Sequence, residues 1–233
     1  VFGRSSANAT IDLGQIAAGV GGFAIVSNID EEQSGHSVSS AGDINGDGLA
    51  DIILGAPYSP VDGGASAGRS FVVYGKATTT NVALTDVNNN IGGFAIVGQG
   101  AQDLSGYSVG AAGDLNGDGR EELLVGMRNG QVACFVNQGT LTVPVWTKFS
   151  DSLGGIRVAE SVSGFAAPRV ADFNRDGQPD LLVGSESGKV FGYPSLWLNL
   201  SAPLTQNNLF CYNSNGGVSD SLPHGNFIVP ASA

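Results

Sequence analysis

The residues best suited to chemistry are oxygen donors, and they fall in a fixed pattern. Asp43-Ile44-Asn45-Gly46-Asp47-Gly48-Leu49-Ala50-Asp51 carries oxygen-bearing side chains at positions 1, 3, 5 and 9, with glycine at position 6. Alternate residues of a tightly turning backbone can converge on one ion, and a backbone carbonyl, here that of Leu49, fills position 7. Gly48 supplies the positive φ that such a turn needs at little steric cost. The pattern returns in Asp114, Asn116, Asp118, Gly119, the carbonyl of Arg120 and Glu122. It returns again in Asp172, Asn174, Asp176, Gly177, the carbonyl of Gln178 and Asp180. One copy would pass for a polar turn between strands. Three copies with carboxylates at positions 1, 5 and 9 predict calcium, at up to three sites.

An EF-hand is excluded. That loop needs a bidentate Glu at position 12 and a helix on each side, whereas position 12 is Leu54, Val125 or Val183. Each lies in a short, branched, apolar run (Ile52-Ile53-Leu54, Leu123-Leu124-Val125, Leu181-Leu182-Val183) of the kind that forms a buried strand. Every loop therefore ends at its ninth residue and runs directly into a strand.

The elements that position these loops are repeated. Gly21-Gly22-Phe23-Ala24-Ile25-Val26 recurs 71 residues later as Gly92-Gly93-Phe94-Ala95-Ile96-Val97, and the same offset carries Ser34-Gly35-His36-Ser37-Val38 onto Ser105-Gly106-Tyr107-Ser108-Val109. An offset of 58 then carries Ser105-Gly106-Tyr107 onto Ser163-Gly164-Phe165 and Asp114 onto Asp172. Each unit reads as short strands. The first (35–42, 106–113, 164–171) leads into the metal loop, and the second (51–56, 122–127, 180–185) leaves it. A third follows (69–75, 131–136, 189–193), and the weaker fourth is expected at 22–26, 93–97 and 143–149. No sustained 3.6-residue periodicity appears. Tandem four-stranded antiparallel units of this length predict an all-β chain of β-propeller blades, with the calcium loops between the first and second strands. A Gly/Ser/Pro-rich insertion around 58–68 predicts an extended loop in the first unit.

Composition agrees with a folded, acidic protein. Of the 233 residues 42% are apolar and 13% charged, and the net charge is −11. Nine of the 21 acidic side chains occupy positions 1, 5 and 9 of the three loops, so the acidity is largely metal-site chemistry. It excludes nucleic acid, which needs a basic footprint. No apolar run approaches the ~18 residues that span a bilayer.

At this point a family is recognisable. Gly35-His36-Ser37-Val38, the loop from Asp43 to Asp51, and Ile52-Ile53-Leu54-Gly55-Ala56-Pro57 closely resemble the FG-GAP repeat, the blade of integrin α-subunit propellers and of many secreted bacterial proteins. The second unit keeps Gly106-Tyr107-Ser108-Val109 but has Gly126-Met127-Arg128 in place of Gly-Ala-Pro, and the third resembles the related VCBS form. The resemblance covers roughly residues 1–193. It implies calcium in the inter-strand loops, held by the residues above, with Glu122 the one departure among the side-chain ligands. It also implies a single propeller region: 1–26 the end of a preceding blade, 34–97 and 105–149 two blades, 163–193 the start of a third, and 194–233 an irregular tail. Phe2-Gly3-Arg4 resembles Tyr74-Gly75-Lys76, and 225–233 resembles the approach to a calcium loop. The expectation is an incomplete propeller, a slice of a longer array.

Enzymatic readings fare poorly. Gly106-Tyr107-Ser108-Val109-Gly110 fits the G-x-S-x-G nucleophile elbow, but that elbow needs a helix after it, and a metal loop follows here. His36 stands where the other units have Tyr107 and Phe165, so it reads as a packing residue, and His224 lies alone. Cys134 and Cys211 permit one disulfide or two free thiols, and Asn8 and Asn199 open glycosylation sequons. The function expected is that of a calcium-binding, extracellular or cell-surface module for adhesion or assembly. Its partners would be other protein, whether further blades of the same chain or neighbouring subunits. A glycan-binding propeller and an accessory region of a secreted hydrolase are the alternatives.

Overall fold

The computed structural model of the chain describes residue 10, residues 12–61, 66–150 and 164–193, and the strand residues 196–198 and 209–211. In chain order, α1 (Leu13–Ala17) and β1 (Ile25–Val26) precede β2 (Ser37–Gly42), β3 (Asp51–Ala56) and β4 (Arg69–Val73). Then come β5 (Val82–Ala83), α2 (Leu84–Asn88) and β6 (Gly93–Val97). Next are β7 (Ser108–Gly113), β8 (Glu122–Gly126), β9 (Val132–Asn137) and β10 (Trp146–Ser150). The last are β11 (Ala167–Ala171), β12 (Asp180–Gly184), β13 (Val190–Tyr193), β14 (Leu196–Leu198) and β15 (Leu209–Cys211). The sheets are antiparallel blades: β2-β3-β4-β6, then β7-β8-β9-β10, then β11-β12-β13, with β14 pairing β15 separately.

The apolar second strands β3 and β8 are buried on both faces because each lies between two layers. Ile53 and Val72 of the first blade pack with Ile96 against Val109, Leu123 and Val125 of the second. The opposite face of the second blade, with Leu124, Val132, Cys134 and Val136, packs against Ala166, Leu181 and Val183 of the third. Blades thus cover each other's apolar faces, which is how a propeller buries sheets too small to fold alone. Glycine makes the close approach possible. A Cβ at Gly55 would lie 1.8 Å from the Gly106 carbonyl oxygen, and one at Gly126 would lie 1.9 Å from that of Ala166. The glycine that follows the second strand's apolar run therefore admits the next blade's leading segment.

Residues at one repeat position stack across the blades. The His36 and Tyr107 rings lie 4.6 Å apart and the Tyr107 and Phe165 rings 4.2 Å apart. His36 is a packing residue, as its repeat position predicts. Ser108 lies inside β7, which leads through a loop into β8, so the turn of a nucleophile elbow is not formed.

Two features depart from the expected strands. The single-turn helices α1 and α2 lie 71 residues apart, and in α2 only Leu84 and Val87 are buried. One turn is too short to register as helical periodicity. The 22–26 segment, expected as a blade's fourth strand, contributes only β1, which pairs in parallel with β5. Asn81 fastens this arrangement, donating to the Ala17 carbonyl and accepting from the Ala24 N–H. Together these pieces cover the outer face of the first blade, where Leu54, Phe71 and Val73 pack with Leu84, Val87, Ile25 and Val82. Within the 194–224 segment, read as irregular, the paired strands β14 and β15 appear.

Candidate metal centres

The three nine-residue loops join first strand to second in each blade. A bulge precedes loops one and two, where the β2–β3 and β7–β8 registers shift at Ser40/Gly42 and Ala111/Gly113. Gly42 and Gly113 there adopt φ of 73° and 70°.

All three loops share one hydrogen-bonded frame. Oδ1 of the first Asp accepts from the N–H of the fifth residue at 3.0 Å in Asp43, 3.0 Å in Asp114 and 3.1 Å in Asp172. Its Oδ2 accepts from the glycine N–H at position 6, at 2.9, 2.8 and 3.0 Å. Oδ1 of the Asn at position 3 shares the fifth N–H, at 3.0, 2.8 and 2.9 Å. The carboxylate at position 5 accepts from the N–H at position 7, at 2.8, 2.9 and 2.8 Å. The ninth residue reaches back to the second: Asp51 to Ile44 at 2.9 Å, Glu122 to Leu115 at 2.6 Å, and Asp180 to Phe173 at 2.9 Å. Position 4 is left-handed throughout, with φ of 72° at Gly46, 74° at Gly117 and 62° at Arg175. Arg175 holds without glycine a conformation that costs roughly 1–2 kcal/mol for an ordinary residue.

This frame suits a cation. Each carboxylate oxygen carries a second lone pair, so accepting one loop N–H leaves capacity for an ion. Among the described residues no three Asp, Glu, His or Cys side chains form a ready-made cluster, because the oxygens are turned onto the loop's own amides. The electrostatics nevertheless favour positive charge. Asp51 is 1% exposed, and burial first, then the charges of Asp47 and Asp43, push its carboxyl above the usual range. Glu122 is fully buried, and burial first, then Asp118 and Asp114, push it up to about 8. The donor set is all oxygen, which fits calcium. Asp43, Asn45, Asp47, Asp51 and the Leu49 carbonyl would hold an ion in loop one. Asp114, Asn116, Asp118, Glu122 and the Arg120 carbonyl would do so in loop two. Asp172, Asn174, Asp176, Asp180 and the Gln178 carbonyl would do so in loop three.

Loop two differs for a traceable reason. In loops one and three the Asn amide donates to the fifth-position carboxylate, Asn45 to Asp47 and Asn174 to Asp176. The longer Glu122 side chain instead takes the Asn116 amide at 3.0 Å. The Asp118 oxygen left over is paired with the Arg120 guanidinium, which also donates to the Asn137 carbonyl. Loop two thus carries its own internal cation at a carboxylate that the other loops leave to the amide.

Glu122 also sets a pH dependence in metal-free protein. Its folded-state pKa of about 8 lies above the ordinary 4.5, so the folded chain holds a proton that the unfolded chain has released. The stability this group contributes is complete below about pH 4.5 and is lost as pH rises through about 8. Urea unfolding in EDTA should show stability falling between about pH 5 and pH 8, and Glu122→Gln should flatten that slope. Equal slopes in the two proteins would remove Glu122 as its source.

Sequence reasoning missed the fastening role of the ninth residue. Asp51 Oδ1 also accepts from the Gly75 N–H at 2.7 Å, which ties loop one to the end of β4. No local signal announces that bond, because Gly75 is distant in the chain. Cys134 is a buried free thiol, and burial pushes its pKa well up. Asn8, Asn199 and His224 lie outside the described residues.

Comparison with known proteins bears on the blades directly. Residues 34–73 match the model of the FG-GAP repeat, and residues 114–183 match that of the FG-GAP-like repeat. The chain is 32% identical over 142 residues, 60% of its length, to integrin alpha pat-2 of Caenorhabditis elegans, of which the match covers 11%. It is 32% identical over 149 residues, 61% of its length, to integrin alpha-7 of Rattus norvegicus, covering 12% of that protein. The chain therefore spans only a small part of these relatives. Among the described residues no helix is long and apolar enough to cross a membrane. Two matched repeat regions, in-register loops and antiparallel blades converge on one statement: this chain carries FG-GAP-type repeats similar to those of integrin α chains.

Proposed function

We propose that the chain is a calcium-stabilised, extracellular β-propeller segment that acts as a protein-interaction module in adhesion or assembly. The observation that carries the calcium reading is the common frame of the three loops, which presents carboxylates at positions 1, 5 and 9 in the same hydrogen-bonded setting. Bound calcium supplies charge neutralisation. The protein's own residues supply the rest: loop amides orient the oxygens, and the ninth residue clamps each loop to its strand. Millimolar calcium outside cells suits weak loop sites of about 10⁻⁴–10⁻³ M, which supports an extracellular setting. Similarity to integrin α chains supports the interaction role.

Calorimetric titration of EDTA-stripped chain with calcium tests this reading. Up to three binding steps are expected, with the loop-two step the weakest because Arg120 competes for Asp118. Absence of any saturable binding at millimolar calcium would refute it.

A further inference from the structure

The chain contains four Asn-Gly pairs, at 45–46, 116–117, 129–130 and 215–216, of which the last lies outside the described residues. Such a pair can react with itself, because a glycine nitrogen with no Cβ beside it can reach the Asn side-chain carbonyl carbon. The fold treats the three described pairs differently. Asn45-Gly46 and Asn116-Gly117 stand at positions 3 and 4 of loops one and two. There the Asn Oδ1 accepts from the N–H two residues on, at 3.0 Å from Asp47 and 2.8 Å from Asp118. That bond folds the side-chain carbonyl over the glycine peptide and sets a donor where negative charge would develop on the oxygen. The N–H groups of Gly46 and Gly117 donate no hydrogen bond among the described residues, and both glycines are exposed. Gly130 is the contrast. It is buried, and its N–H is committed to the Met127 carbonyl at 3.1 Å, although Asn129 Oδ1 accepts from the Gln131 N–H just as the loop residues do. Loop three supplies a second contrast. Asn174 keeps the bond from the N–H two residues on, that of Asp176, at 2.9 Å, but Arg175 follows it and brings a Cβ beside the nitrogen.

We propose that Asn45 and Asn116 are sites of spontaneous covalent modification, converting to aspartyl and isoaspartyl residues within the loops. The glycine nitrogen gives its proton to hydroxide and forms a bond to the Asn Cγ. The Cγ–Nδ2 bond breaks, and the nitrogen takes a proton from water and leaves as ammonia. Water then opens the cyclic imide at one carbonyl or the other. Opening at Cγ leaves Asp, opening at the backbone carbonyl carbon leaves isoaspartate, and nothing is oxidised or reduced. The change reaches the loop frame directly. In loop one the Asn45 amide that donates to Asp47 at 3.0 Å becomes a carboxylate facing a carboxylate. In loop two the amide that donates to Glu122 at 3.0 Å is lost. The isoaspartyl form also adds a carbon to the main chain, inside a turn whose hydrogen bonds join residues only four and five apart. Loops one and two therefore age far faster than loop three. None of these steps uses a bound ion, so the proposal stands or falls apart from the calcium reading.

Incubation of the intact 233-residue chain in EDTA at mildly alkaline pH, in water enriched in heavy oxygen, tests the proposal. Peptide mapping by mass spectrometry then locates each amide nitrogen replaced by labelled oxygen. In the folded chain Asn45 and Asn116 should convert roughly tenfold or more faster than Asn129, the factor set by breaking one buried hydrogen bond. Asn174 should lag as well. In urea, where only the sequence acts, Asn45, Asn116 and Asn129 should convert at one common rate, with Asn174 still behind. Conversion of either loop Asn as slow as that of Asn129 in the folded chain would overturn the assignment at that loop. A lag of Asn129 that persisted unchanged in urea would overturn the proposal altogether, because the difference would then owe nothing to the fold.

Discussion

Asp51→Ala is expected to destabilise the chain by about 3–5 kcal/mol whether or not calcium is present. The Asp51 carboxylate accepts from two backbone N–H groups, Ile44 at 2.9 Å and Gly75 at 2.7 Å, and is itself buried. Removing it strands donors that the fold has taken from water, at about 1–3 kcal/mol each, and unfastens loop one from both β3 and β4. Asp47→Ala gives the contrast. Asp47 accepts from the Leu49 N–H and the Asn45 amide, both in exposed settings, where water can replace it. Its loss should cost only about 1 kcal/mol in EDTA and more in calcium, where a ligand disappears. Urea unfolding of both variants in EDTA decides the matter. Costs that agree within 1 kcal/mol would mean that Asp51 has no fastening role beyond that of an exposed loop residue.

Calcium itself should raise the melting midpoint markedly. A ligand that binds only the native state adds RT ln(1 + [L]/Kd), or about 2.7 kcal/mol per site at a hundredfold excess over Kd. For a chain of this size each kcal/mol moves the midpoint by roughly 2–4 °C, so one saturated site is worth about 5–10 °C. Without calcium the loops start from a disadvantage, because burial and like charge act together on Asp51 and Glu122. A melt in EDTA and another in millimolar calcium measure the difference. An unmoved midpoint would mean that the loop frames hold no metal that matters to folding.

The nine-residue loops, their threefold recurrence and the strands on either side were legible in the chain alone. A loop in which Asp43 caps the amides of Asp47 and Gly48 is built from residues only four and five apart, so its geometry is written in contiguous sequence. The second strands were equally plain, because a short branched run bounded by glycine has few other ways to bury itself. The offset of 71 residues, read from Gly21–Val26 and Gly92–Val97, also carried α1 onto α2, although neither helix is long enough to declare itself by periodicity. Tertiary structure decided everything that depends on which blade lies beside which. Within blades it brought Gly75 to Asp51 and the Asn137 carbonyl to Arg120; between blades it stacked His36, Tyr107 and Phe165 in a row and laid Glu121 against Gly42. It also covered the outer face of the first blade with Leu84, Val87 and Ile25. Local hydrogen bonds follow from residue type and spacing within one turn, but a contact between residues some 80 positions apart exists only once sheets have stacked and water has left the seam between them.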